Sequence, residues 1–242
     1  MSGSDIWIAY TLFMVVCTLV VEYRALRQDK SKHQSSFQMS NLDYLAGVFK
    51  GLSSLGFLAY FYCRVGLDLG EYDVPRVALS LALLASAIGD VLLVGKREIF
   101  FLLGLIAFFI AHLAYALAFF EPLWTVNSNL INLVNSGIGL SIVVISFLAY
   151  RYFHPHIPKD LVYPAMAYTA VIGLMMSIAL IHAVSLQRYA VAIGAIAFWF
   201  SDLAVAKQQF QSDYLSQDGF YVRLWGLPLY YIAQIILADS VT

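Results

Sequence analysis

Asp90 and Asp202 each stand inside a stretch apolar enough to cross a bilayer, VALSLALLASAIGDVLLVGK for the first and YAVAIGAIAFWFSDLAVAK for the second. A carboxylate at the centre of a membrane helix costs about 2.5–3.5 kcal/mol on insertion scales, so such residues usually face a water-filled cavity or a partner and mark function. Lys50, within NLDYLAGVFKGLSSLGFLAYFYC, is a third charge of the same kind. Two carboxylates and one ammonium can divide their roles. The aspartate nearest Lys50 stays ionised and the other keeps a proton, an arrangement suited to acid–base chemistry. A structural salt bridge between Lys50 and one aspartate is the plainer reading, but it leaves the second carboxylate unexplained.

The rest of the chain supplies helices to hold these groups. Of the 242 residues, 61% are apolar and only 12% are charged, against roughly 25% charged in soluble domains. Mean hydropathy is +0.77. The formal net charge of -1 gives no support for nucleic acid as a partner. Cys17 and Cys63 both fall in apolar runs and read as small core hydrophobes rather than a disulfide or metal pair. MSGSD lacks the basic start of a cleaved signal peptide, so the first apolar run is expected to remain as a helix.

About eight segments reach the length a bilayer requires, near 6–26, 43–65, 74–95, 98–120, 129–151, 161–184, 188–208 and 220–239. The expected fold is therefore all-α, a polytopic membrane helix bundle occupying residues 1–242 as a single integral membrane domain. Asn41 is a possible N-cap, and Pro75 suits a first helical turn. The prolines of FHPHIPKD cannot continue a helix, and VSLQR alone separates spans six and seven. Glu22 and Arg24, at the end of span one, are expected to snorkel toward water.

Lysine and arginine concentrate on one side. Arg24, Arg27, Lys30, Lys32, Lys96, Arg97, Arg151, Lys159, Lys207 and Arg223 flank the odd-numbered loops, whereas Arg64, Arg76 and Arg188 flank the even-numbered ones. The positive-inside rule then places the odd loops in the cytoplasm and both termini on the opposite side, in a bacterial inner membrane or the endoplasmic reticulum. Counting along ideal helices puts Asp90 about 9 Å, Asp202 about 8 Å and Lys50 about 10 Å from that face. His112, at about 20 Å, falls in the far half and reads as a packing or cavity-wall residue rather than a proton donor to the aspartates.

On these residues the chain resembles the lysoplasmalogenase (YhhN-like) family of integral membrane hydrolases. The matching pieces are SAIGDVLLVGKREIFFLLGLIAFFIAHLAYALAFF with His112 and Tyr115, Tyr168 with Met175, GAIAFWFSDLAVAKQQF around Asp202, and LPLYYIAQIIL with Pro228, Tyr231 and Gln234. One departure is that Lys50 is followed by Gly51 where the family commonly shows Lys-Pro. The resemblance implies cleavage of the vinyl ether bond of a lysophospholipid substrate, a lysoplasmalogen, within the lipid bilayer and without a metal or other cofactor. Vinyl ether hydrolysis needs a general acid and a second carboxylate, so Asp90 and Asp202 are expected as the catalytic pair, with Lys50 tuning them or holding the lipid phosphate. The resemblance raises Tyr231 and Gln234 to cavity residues, beside His112 and Tyr115 as a packing or cavity-wall pair. Activity is expected to fall in both Asp→Asn variants.

Other chemistries lack their residues. A zinc hydrolase needs about three histidines and an acid at one depth. Only His112 and His182 lie in spans, while His33, His154 and His156 lie in linkers. No G-x-S-x-G nucleophile elbow and no phosphate-binding glycine loop is present. A proton-coupled transporter using Lys50, Asp90 and Asp202 is the strongest competitor. Broken mid-membrane helices would favour it, but Pro164 and Pro228 are both expected near helix starts. Asn132 and Asn135, an i, i+3 pair, are expected to bond between helices. Ser86 and Ser201 could bond the aspartates or their own helix backbone.

Overall fold

A computed structural model describes residues 3–29, 41–66, 73–95, 97–125, 129–212 and 217–241. Among these residues the chain is all-helical: α1 (Gly3–Asp29), α2 (Asn41–Val65), α3 (Val74–Leu92), α4 (Glu98–Phe120), α5 (Asn129–Phe153), α6 (Val162–Leu186), α7 (Tyr189–Phe210) and α8 (Gln217–Ala238). All eight contain a stretch long and apolar enough to span a bilayer, and the chain is an integral, polytopic membrane protein. The observed ends fall within a few residues of the expected spans. Lys30, Lys32, His33 and Lys96 lie outside the described residues, as does the side chain of Asn132.

Local chemistry sets the breaks. Asp73 has an extended backbone at the start of α3, Pro75 sits in the first turn, and Asp73 pairs with Arg76 at 3.0 Å. HPH and KDL form short 3-10 turns between α5 and α6, as the flanking prolines require. α6 and α7 are separated by Gln187, which adopts a left-handed conformation at φ 57° and stops α6. α1 packs on α2 and α8, α3 on α4, α7 on α8, and α6 against α4, α5 and α7.

Close helix approach at two glycines places Asp90. A Cβ on Gly89 would stand 2.6 Å from the Phe108 ring, and one on Gly104 would lie 2.7 Å from Leu93. The absence of both side chains lets α3 and α4 seat closely, with Phe108 against Gly89 and the neighbouring Asp90 turned into the bundle. Across α7 and α8, a Cβ on Gly226 would meet the Ala204 Cβ at 2.5 Å. A methyl group cannot rotate away, so Gly226→Ala should cost about 1–3 kcal/mol through overpacking. Thermal unfolding in detergent reads this directly; an unchanged midpoint would contradict the tight α7–α8 contact.

Three expectations are corrected. Pro228 is not near a helix start but inside α8, eleven residues beyond Gln217. Its missing N–H removes the bond that the Leu224 carbonyl would accept. Neighbouring helices let a membrane helix tolerate such a proline. Glu22 does not snorkel: it forms a 2.8 Å ion pair with Arg223 of α8, and both side chains are largely buried. The cysteines are free, as read, but they are not core residues. Cys17 is half-buried and Cys63 is exposed on the bundle surface, where a membrane helix faces lipid.

Candidate active site

Asp90 lies two residues before the end of α3 and is only 2% exposed. Three helices supply its partners. From α2, the Ser54 hydroxyl donates to Oδ2 at 2.7 Å, and the Lys50 ammonium faces Oδ1 at 3.5 Å. From α8, the Tyr230 hydroxyl donates to Oδ2 at 2.8 Å. Lys50 and Ser54 are one helical turn apart and therefore share a face of α2. An ammonium and two hydroxyls around one carboxylate supply the pairing that a buried charge needs.

Asp202 has separate partners. On its Oδ2, the Tyr168 hydroxyl of α6 donates at 3.0 Å and His112 Nε2 of α4 stands at 3.1 Å. His112 Nε2 and the Tyr168 hydroxyl are themselves 3.1 Å apart. His112 is fully buried, whereas the Asp202 side chain is 13% exposed. This contact corrects the placement of His112 as a remote wall. The count put His112 about a dozen ångström deeper than Asp202, but it assumed parallel helices with level ends. The helices run from 19 to 27 residues, and membrane helices tilt by about 20° on average, so rise along each helix does not measure a common depth.

The aspartates' surroundings meet through aromatic rings. Phe198 of α7, one turn before Asp202, packs against His112 with centroids 4.7 Å apart and against Tyr230 at 5.4 Å. Phe108 packs edge-on to both Phe198 and Tyr230. Among the described residues the two carboxylates share no hydrogen-bond partner: they occupy adjoining polar nests separated by this cluster.

The remaining anticipated residues border the Asp90 nest. The Tyr231 hydroxyl donates to the Lys50 carbonyl at 2.9 Å and lies 3.3 Å from Ser54 Oγ. It therefore holds the Lys50–Ser54 turn. The Tyr115 hydroxyl donates to Gln234 Oε1, linking α4 to α8, and both side chains are fully buried. Ser201 back-bonds to the Phe198 carbonyl at 2.7 Å, and Ser86 is not among the donors to Asp90. His182 Nδ1 bonds the Phe119 carbonyl at 2.8 Å, away from either aspartate. Ser54 and Tyr230 carry no role in the sequence reading, and Tyr168 appears there only as a matching residue. The i, i+4 spacing of Lys50 and Ser54 was a usable signal for the first.

Comparison with known proteins places this sequence in a family. The YhhN family matches residues 45–241, which include every residue of both nests. The chain is 29% identical over 183 residues to lysoplasmalogenase TMEM86A of Bos taurus, covering 73% of this chain and 69% of that one. It is 32% identical over 162 residues to lysoplasmalogenase TMEM86B of Sus scrofa, covering 66% and 62%. The mouse TMEM86B lysoplasmalogenase is 30% identical over 160 residues, 66% of this chain and 61% of its own length. The chain thus spans between three-fifths and seven-tenths of these relatives. No solved structure matches it. With a match running from the second helix to the last, the chain belongs to the YhhN family.

Proposed function

We propose that this chain is a membrane-embedded hydrolase that cleaves the vinyl ether bond of lysoplasmalogens. The products are a fatty aldehyde and glycerophosphoethanolamine or glycerophosphocholine. The observation that carries the reading is the pair of membrane-buried carboxylates, each held by donors from other helices, in a chain similar to proteins named lysoplasmalogenases.

Vinyl ethers hydrolyse by protonation of the β-carbon. The resulting oxocarbenium ion is captured by water, and the hemiacetal collapses to aldehyde and alcohol. An enzyme for this reaction needs a general acid, a negative charge near the developing cation and a base for the water. Glycosidases meet similar needs with two carboxyl groups. Here the carboxyl groups available to the site are those of Asp90 and Asp202, and Lys50, whose side chain is 19% exposed, supplies a point charge for the lipid phosphate. Tyr115, Tyr231 and Gln234 shape the wall around Asp90 and Lys50. A transport role for the same charges draws no support from the relatives.

The test is purified protein in detergent, given vinyl ether, acyl and saturated alkyl lysophospholipids with one headgroup. Aldehyde is expected from the vinyl ether lipid alone. Free fatty acid from the acyl lipid, or no aldehyde from folded protein, would contradict the proposal.

A further inference from the structure

The two carboxylates differ in a way that separates their work. Both Asp90 oxygens are engaged, Oδ2 by Ser54 and Tyr230 and Oδ1 by Lys50, and the side chain is sealed from the surface. Asp202 receives both of its donors on Oδ2. Its Oδ1 has no protein partner among the described residues, and its side chain retains access to the exterior. A general acid must reach the atom it protonates, and only Asp202 has a carboxylate oxygen free to do so.

Resting on the vinyl ether reading above, we infer that Asp202 Oδ1 alone exchanges protons with the substrate, whereas Asp90 acts through Lys50. The carboxyl O–H of Asp202 breaks as its proton joins the β-carbon, the C–H bond forming from the double-bond electron pair. The carbon bearing the ether oxygen becomes the oxocarbenium centre. Water adds there and returns one proton to Oδ1. The hemiacetal carbon–oxygen bond to glycerol then breaks, and the hydroxyl proton passes to the departing glycerol oxygen. One water is consumed, nothing is oxidised or reduced, and Asp202 ends as it began.

His112 and Tyr168 are positioning residues in this scheme: they pin Oδ2 and leave Oδ1 directed at the substrate. Asp90 neutralises and orients the Lys50 ammonium, which then meets the lipid phosphate as a point charge.

The division is read from kcat and KM separately. Asp202→Asn should lower kcat by about 10²–10⁴-fold, the usual contribution of a general acid or base, with KM little changed. Asp90→Asn should act mainly on KM, raising it by about tenfold while kcat falls less than tenfold. The Lys50→Gln/Asp90→Asn double variant removes both charges together and should show the same KM effect, which covers a single variant that fails to fold. His112→Gln, which keeps an N–H donor, should restore most of the kcat lost in His112→Leu. Equal loss of kcat in Asp90→Asn or the double variant and in Asp202→Asn would overturn the division, because both carboxyl groups would then transfer protons. Failure of His112→Gln to exceed His112→Leu would overturn the positioning role. Wild-type protein without vinyl ether activity would instead remove the proposed function, and this division with it.

Discussion

Asp202→Asn is expected to abolish nearly all aldehyde release from a lysoplasmalogen, a fall of about 10²–10⁴-fold. The amide is close in size to the carboxyl group and can still accept from the Tyr168 hydroxyl and His112 Nε2, which stand 3.0 and 3.1 Å away. What it cannot do is give a proton to carbon or take one from water. Packing around the site should survive, since Phe198 and Phe108 are not altered. Substrate binding and thermal stability are therefore expected to stay close to wild type while turnover collapses. Near-wild-type turnover in Asp202→Asn would remove this residue from the chemistry.

Arg223→Met is expected to destabilise the protein by about 3–5 kcal/mol, the usual cost of stranding one member of a buried ion pair. Arg223 Nε stands 2.8 Å from Glu22 Oε2, with the two side chains 9% and 13% exposed. The pair joins α1 to α8, one of the helices that line the Asp90 nest. In a chain of this size the loss corresponds to a drop of roughly 10 °C in the unfolding midpoint. Glu22→Gln combined with Arg223→Met should recover much of it, because the unpaired charge is then gone. An unchanged midpoint in Arg223→Met would mean that the pair contributes nothing to holding α1 in place.

The helices were legible in the sequence because hydropathy over twenty residues and proline-bearing linkers are local signals. FHPHIPKD and the VSLQR break fall where the local chemistry puts them. Lys50, Asp90 and Asp202 were legible as candidates because each is costly in a membrane. Their partners were harder to read. Ser54, Tyr168 and Tyr230 are ordinary residues for a membrane helix, and their role depends on helix rotation, which composition does not encode. His112 was misplaced because depth was counted along helices assumed level and upright. Pro228 does not fit a helix start even by hydropathy: it lies eight residues into the apolar run from 220 and eleven into α8, which begins at Gln217. Glu22 looked like an interfacial charge because its counterion lies 201 residues away in the chain.

The central claim is that this membrane protein protonates a vinyl ether carbon. It is tested most directly by hydrolysing a lysoplasmalogen in D₂O with purified protein and trapping the aldehyde at once for mass spectrometry. The account predicts one deuterium on the carbon next to the aldehyde carbon, delivered when the double bond is protonated. Aldehyde without that deuterium, or a folded protein that releases none, would contradict it.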